Sequence, residues 1–248
     1  MKNPFRQLHD ARIRALKEGS PLPIDFRAEF DDSNEVEIYL YDVIDDWVGV
    51  AATDIIYALA QADERDVLMH LNSPGGIVTE GLAIYNTLKN YQGNVTVRVE
   101  GMAASAASFV MLAANTVEIE PNAMVMIHDA WGLTVGPAED HRQSADVLDK
   151  MSDNIATIYA KKSGDSAEHW RDLMKAETWY VGQEAVDAGL VDKTTEEDSE
   201  HEAENNKWRT GIFARAPKRV AASAVSPKKP EPAYDFAALR EGLKGVLA

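Results

Sequence analysis

No cysteine occurs anywhere in the 248-residue chain. That excludes a disulfide framework, a thiol nucleophile and a cysteine-based metal site, and it is compatible with a reducing compartment such as the cytosol. Positive charge is also scarce. Lys and Arg number 25 against 41 Asp and Glu, for a formal net charge of -16. A surface that grips phosphate backbones needs an excess of basic side chains, so nucleic acid is not expected as a partner. An anionic membrane is disfavoured for the same reason. No run approaches the roughly 20 apolar residues of a membrane span. The first residues have no apolar core of signal-peptide length, and charges recur through Glu18. No pair of histidines has helical metal-ligand spacing, and no Walker-type phosphate loop is present. The expectation is a soluble, cytoplasmic protein with no metal, no cofactor and no ATP site of its own.

What is present is a regular alternation of strands and helices. Val36–Tyr41, Val67–Asn72 and Asn94–Val99 are rich in β-branched and aromatic residues and read as strands. Between them lie helical runs over Val48–Gln61, whose start is ill defined, and Thr79–Tyr91. Short connections make this a βαβαβ unit, which predicts parallel strands joined by right-handed crossovers. A small-residue helix over Ser105–Ala114 and strands over Thr116–Glu120 and Ala123–Ile127 follow. A long helix then runs from Glu139 to Lys162. Its Leu148, Met151, Ile155, Ile158 and Tyr159 form one apolar stripe. A second helix covers Ala167–Ala176, Thr178–Val181 is extended, and Gln183–Ala188 is a short helix stopped by Gly189.

Three parts follow from the shifts in composition: an N-terminal arm over 1–34, a central domain over 35–195, and a tail over 196–248. The arm contains a short basic amphipathic stretch with Arg12, Arg14 and Lys17. The tail combines an acidic run, a Pro-containing linker and a short terminal helix with Phe236, Leu239, Leu243 and Val246 on one face.

Within the central part, three segments carry chemistry. Ser105 sits in Gly101-Met102-Ala103-Ala104-Ser105-Ala106-Ala107. Small neighbours let backbone and substrate approach, Gly101 permits a tight strand-to-helix turn, and a helix start points free N–H groups at developing negative charge. A serine becomes a nucleophile when a base takes its proton. His128 closes the apolar strand Met124–Ile127 and is the candidate base; His70, just before the diglycine Gly75-Gly76, is its rival. The diglycine offers a backbone donor to an oxyanion. Ser108, one turn on, reads as structural. The acid that orients the base is Glu177, with Asp129, Asp172 and Asp187 as alternatives.

Asn72-Ser73-Pro74-Gly75-Gly76, then Gly101-Met102-Ala103-Ala104-Ser105, then Met126-Ile127-His128 occur in the order of the proteolytic subunit of the Clp protease, and Glu184–Asp192 resembles that family's closing segment. The resemblance covers about residues 35–193. With Glu177-Thr178-Trp179, the chain looks most like the Clp-related head-maturation proteases of tailed phages and prophages. That resemblance implies an α/β fold of the Clp/crotonase type, with a repeated βαβ core and a protruding long handle helix. It places the nucleophile on Ser105, the base on His128, the acid on Glu177 and the oxyanion donors on the N–H groups of Gly76 and Ala106. It departs from the family pattern at Glu177, where Asp is usual, and at Ala106, where Met is common.

The implied activity is that of a serine endopeptidase assembled as a heptamer-based homo-oligomeric ring. Its implied substrates are capsid or scaffold proteins, in the host cytoplasm or the assembling prohead. Any ATP dependence would come from a separate AAA+ unfoldase. Two other readings are an acyl-coenzyme A enzyme of the crotonase type and a catalytically silent capsid-assembly scaffold.

Overall fold

The computed structural model describes residues 26–29 and 35–195. The sequence-predicted basic arm segment and C-terminal helix lie outside them. The centre is a mixed sheet in the order β1 (Phe26–Glu29), β2 (Glu35–Leu40), β3 (Asp66–Ser73), β4 (Val95–Ala104), β5 (Thr116–Ile119) and β8 (Lys193–Thr194). Two further strands, β6 (Met124–Ile127) and β7 (Thr178–Val181), branch from it: β6 pairs with β4 and β7 with β6. Strands β2 to β5, with β6 and β8, run parallel; β1 and β7 are antiparallel to their neighbours. The crossovers are α1 (Ala52–Ala62) and α2 (Val78–Lys89). After them come the short α3 (Ala106–Val110), a 3-10 turn at Met111–Ala113, the long α4 (Ala138–Ser163), α5 (Ala167–Lys175) and α6 (Gln183–Asp187). The α/β, parallel-rich architecture read from the sequence is the one observed.

Alternation explains the layering. Val36, Ile38 and Leu40 of β2, Val67, Met69 and Leu71 of β3, and Val95, Val97 and Val99 of β4 are all essentially buried. They point to one face and pack with Ile55 and Leu59 of α1, Ile84 and Leu88 of α2, and Phe109 of α3.

The first crossover helix begins later than its apolar pattern suggests. Asp45 accepts the N–H groups of Trp47 and Val48, at 2.7 and 3.0 Å, which holds those residues in a turn. Val50 pairs with Ile44 as an isolated bridge, so the helix opens only at Ala52. The buried Asp54 carboxylate accepts Ala51 N–H and the Glu80 carboxylate accepts Ala52 N–H, both at 2.8 Å, satisfying amides that a helix start leaves bare. The sheet also starts earlier than the sequence reading places it. Strand β1 falls inside the segment read as an arm, where only four residues pair.

Strand β4 does two jobs. Its first half pairs with β5 over Thr96–Val99 and its second half with β6 over Met102–Ala104. On its other side, Leu71 of β3 faces Val99 but Ser73 faces Ala103, so β4 carries extra residues here. This bulge re-aims the end of the strand. Gly101 sits in it, where a Cβ would lie 2.7 Å from Asn72 Oδ1. Its role is this close approach rather than the turn expected of it; the turn falls on Ser105 itself.

The far face of the sheet carries a polar cluster. His70 is buried, stacks on Tyr39 at 4.3 Å and has its Nδ1 2.6 Å from Glu100 Oε1. Tyr41 donates to the other Glu100 oxygen. Burial, with the nearby charges of Glu120 and Glu37, pushes the Glu100 carboxyl up to about 7. A raised carboxyl favours the fold while protonated, fully so below its ordinary value of 4.5, and that contribution is lost as pH rises through about 7. Glu100→Gln cannot ionise. Its melting temperature relative to wild type should therefore climb between about pH 5 and pH 8. A constant difference across that range would show that Glu100 is not held protonated.

Candidate active site

The end of β4 delivers Ser105 into a backbone conformation that few residues other than glycine adopt, with φ 54° and ψ −122°. Such a conformation costs about 1–3 kcal/mol and persists only where the surroundings enforce it. Several contacts do so here. Ser105 N–H donates to Met126 O at 2.8 Å, tying the elbow to β6. Ser105 O accepts Ser108 N–H at 3.0 Å as α3 begins. Beneath it, Met102, Ala104 and Met126 form a small buried cluster covered by Trp179.

Ser73-Pro74-Gly75-Gly76 lies directly over the elbow. A Cβ on Gly75 would be 2.4 Å from Ala104 O and 2.6 Å from Ala106 N, and one on Gly76 would be 2.1 Å from Ile44 O. Only glycine fits either place. Gly75 O accepts Ile44 N–H at 2.8 Å. In a trans peptide the carbonyl and the following N–H point in opposite directions, so Gly76 N–H is turned away from Ile44. Ala106 N–H, in turn, opens α3, where the first amides have no intrahelical partner.

His128 follows β6. Its Nε2 lies 2.7 Å from Ser105 Oγ. With the imidazole proton on Nδ1, the serine hydroxyl donates to Nε2. Strand β7 runs antiparallel to β6 with Ile127 opposite Thr178, which brings Glu177, the residue before β7, to the same end of the sheet as His128. Glu177, at φ 50°, leads into β7, and its Oε1 accepts Trp179 Nε1–H at 3.3 Å. Burial lowers the His128 pKa; the charges of Glu177 and then Asp129 oppose that shift.

The alternatives lie elsewhere. Asp129 is engaged by Arg171, which also holds Asp149 and Asp153 of α4, each at 2.8 Å. Asp172 is exposed beside Lys175, and Asp187 is exposed beside Gln183. His70 belongs to the polar cluster with Glu100. Of the remaining histidines, His141 and His169 are exposed, and His9 and His201 lie outside the described residues.

Ser105, His128, Gly76 and Ala106 all line one cavity of about 630 Å³. Phe109, Leu148, Met151 and Ile155 give it an apolar wall, and Trp131 stands at the edge, 73% exposed. Two features escape a sequence reading. Arg171 is one arginine among many charges, and the Tyr159 hydroxyl hides in an apolar stripe; only the fold shows that it bonds Ser108 Oγ, at 2.7 Å.

A hydroxyl bonded to an imidazole beside outward-turned amides suits acyl transfer, and on this frame the class is a serine-type hydrolase. The comparisons narrow the class to a family. The Clp protease family model matches residues 31–198. The chain is also 31% identical over 157 residues to the ATP-dependent Clp protease proteolytic subunit 1 of Leifsonia xyli subsp. xyli, a match covering 62% of this chain and 80% of that protein. The chain belongs to the Clp protease family. The acyl-coenzyme A reading is thereby set aside.

The lowered His128 pKa has a kinetic consequence. Only the neutral imidazole accepts a proton, so the rate of fluorophosphonate labelling should rise with pH around a midpoint below the ordinary histidine value of 6.5. Removing the opposing charge in Glu177→Gln should move the midpoint lower still. A midpoint above 6.5, or an upward move in the variant, would contradict this account of the electrostatics.

Proposed function

We propose that the chain is an endopeptidase in which Ser105 is the nucleophile, His128 the general base and Glu177 the acid that orients it. The observation that carries this reading is the 2.7 Å contact between His128 Nε2 and a serine held on a strained elbow. Ser105 Oγ attacks the peptide carbonyl as its proton passes to His128 Nε2. The oxyanion is met by the N–H groups of Gly76 and Ala106. His128 returns the proton to the leaving amine, and water then releases the acyl group by the same steps in reverse roles. The apolar wall of the cavity favours substrates with a large apolar side chain beside the cut bond.

The catalytic domain in this reading spans residues 35–195, with the arm and tail attached to it. Among the described residues no helix is long and apolar enough to cross a membrane. Assembly into a closed ring, heptamer-based by resemblance, is supported by α4. This helix of 26 residues extends roughly 39 Å. Ile155 and Tyr159 in its second half are buried, whereas Val147, which is not part of the cavity wall, is 49% exposed. Apolar surface left open in this way marks an interface. The physiological substrates in this reading are capsid or scaffold proteins of a tailed phage or prophage, cut in the bacterial cytoplasm or inside the assembling prohead. This rests on the Glu177-Thr178-Trp179 resemblance.

Ser105→Ala should abolish cleavage of co-expressed capsid proteins, read as unchanged termini by mass spectrometry. A silent scaffold would instead give identical termini and normal shells with either protein. For the third residue, Glu177→Gln should lower kcat by up to about 10⁴, whereas Asp129→Asn should stay within about tenfold of wild type. The reverse ranking would transfer the orienting role to Asp129. Light scattering on a sizing column should give a ring, and a stable, active monomer of 27.3 kDa would rule out the assembly.

A further inference from the structure

The carbonyl of Ser105 receives a second donor that the catalytic reading does not use. Ser108, wholly buried in α3, donates its hydroxyl to Ser105 O. Its single proton is thereby committed, so in its 2.7 Å contact with Tyr159 the tyrosine is the donor. The chain of bonds runs one way: Tyr159 O–H to Ser108 Oγ, then Ser108 O–H to Ser105 O. Tyr159 belongs to α4 and is 1% exposed. Its ring packs 5.4 Å from that of Trp170 in α5, and Trp170 is held in turn by Ser163 Oγ, which accepts its indole N–H at 2.7 Å. Burial raises the Tyr159 pKa, so the hydroxyl keeps its proton.

The consequence lies at the other end of the same peptide. Ser105 C=O and Ala106 N–H belong to one planar trans unit and point in opposite directions. Fixing the carbonyl therefore aims the amide. The carbonyl direction also sets Ser105 ψ, which stands at −122° in a region that relaxes unless held. We propose that Tyr159 and Ser108 are positioning residues, a relay from the long helix that aims the Ala106 N–H at the oxyanion. This rests on the peptidase reading above. It adds to that reading a direct mechanical link between α4, with its open apolar half, and the reacting centre.

A relay that aims a donor acts on the transition state and leaves ground-state binding alone. The test uses the full-length protein and a fluorophosphonate probe, with Tyr159→Phe, Ser108→Ala and the double variant. Tyr159→Phe keeps the ring and loses only the hydroxyl. Removing an oxyanion donor outright costs about 10²–10³, so loosening one should lower the maximal labelling rate by about tenfold in each single variant. Half-saturating probe concentration should stay within about twofold, because Tyr159→Phe keeps the ring that lines the cavity and Ser108 is not part of its wall. The double variant should be no slower than the slower single, since both break one chain. An unchanged maximal rate, an effect confined to half-saturation, or losses that multiply in the double variant would overturn the relay. Amide exchange across residues 105–108 supplies a readout independent of catalysis. It should quicken in Tyr159→Phe even in a Ser105→Ala background, and unchanged exchange there would also overturn the relay. If the wild-type protein fails to label at Ser105, the peptidase reading fails and the oxyanion role of the relay with it; if it labels while rate and exchange do not respond to the variants, the relay alone fails.

Discussion

The structure turns on one peptide unit, the one joining Ser105 to Ala106. It is held in a conformation that the serine would not choose, at φ 54° and ψ −122°. Almost everything nearby serves to hold it. The bulge opposite Asn72 lets one strand leave β5 and meet β6; Met126 O takes the Ser105 amide; the glycine strap packs so closely above that a single Cβ would collide. The cost of about 1–3 kcal/mol is small beside the burial of the surrounding core, and it exposes the hydroxyl at the mouth of a cavity rather than inside a helix.

Charge is arranged with similar economy. Acidic side chains are abundant, yet few of them reach the histidine. Asp129, its chain neighbour, is drawn off by Arg171, which also clamps Asp149 and Asp153. Glu177, just ahead of the antiparallel strand β7, is the other carboxylate whose charge acts on the imidazole. The imidazole is partly desolvated, which favours its neutral form, and the neighbouring carboxylates limit how far that shift goes. A base that is neutral at rest and stabilised when protonated suits proton transfer in both directions.

Much of this was legible in the sequence because the signals were local. Alternating β-branched residues marked β2 to β4, and the diglycine and the Ala-rich serine segment marked the turns that close on one another. What failed had physical causes. The apolar run from Val48 leaves the start of the helix after β2 open, because nothing local shows that Asp45 captures two amides and holds Trp47 and Val48 in a turn. Strand β1 is too short to carry a pattern. Gly101 looked like the turn residue, whereas the strain sits on Ser105 and the glycine serves a bulge set by pairing with two different partners. Tyr159 counted as apolar because its neighbours in the stripe are; its hydroxyl acquires meaning only when α4 is laid against α3.

The central claim is that one serine, made reactive by one histidine, carries the chemistry. Peptide mapping by mass spectrometry of the protein treated with a fluorophosphonate tests it most directly, comparing wild type with His128→Ala. The account predicts a single adduct, on the peptide containing Ser105, and its near-complete loss in the variant. An adduct on another serine, or undiminished labelling of Ser105 without the histidine, would contradict it.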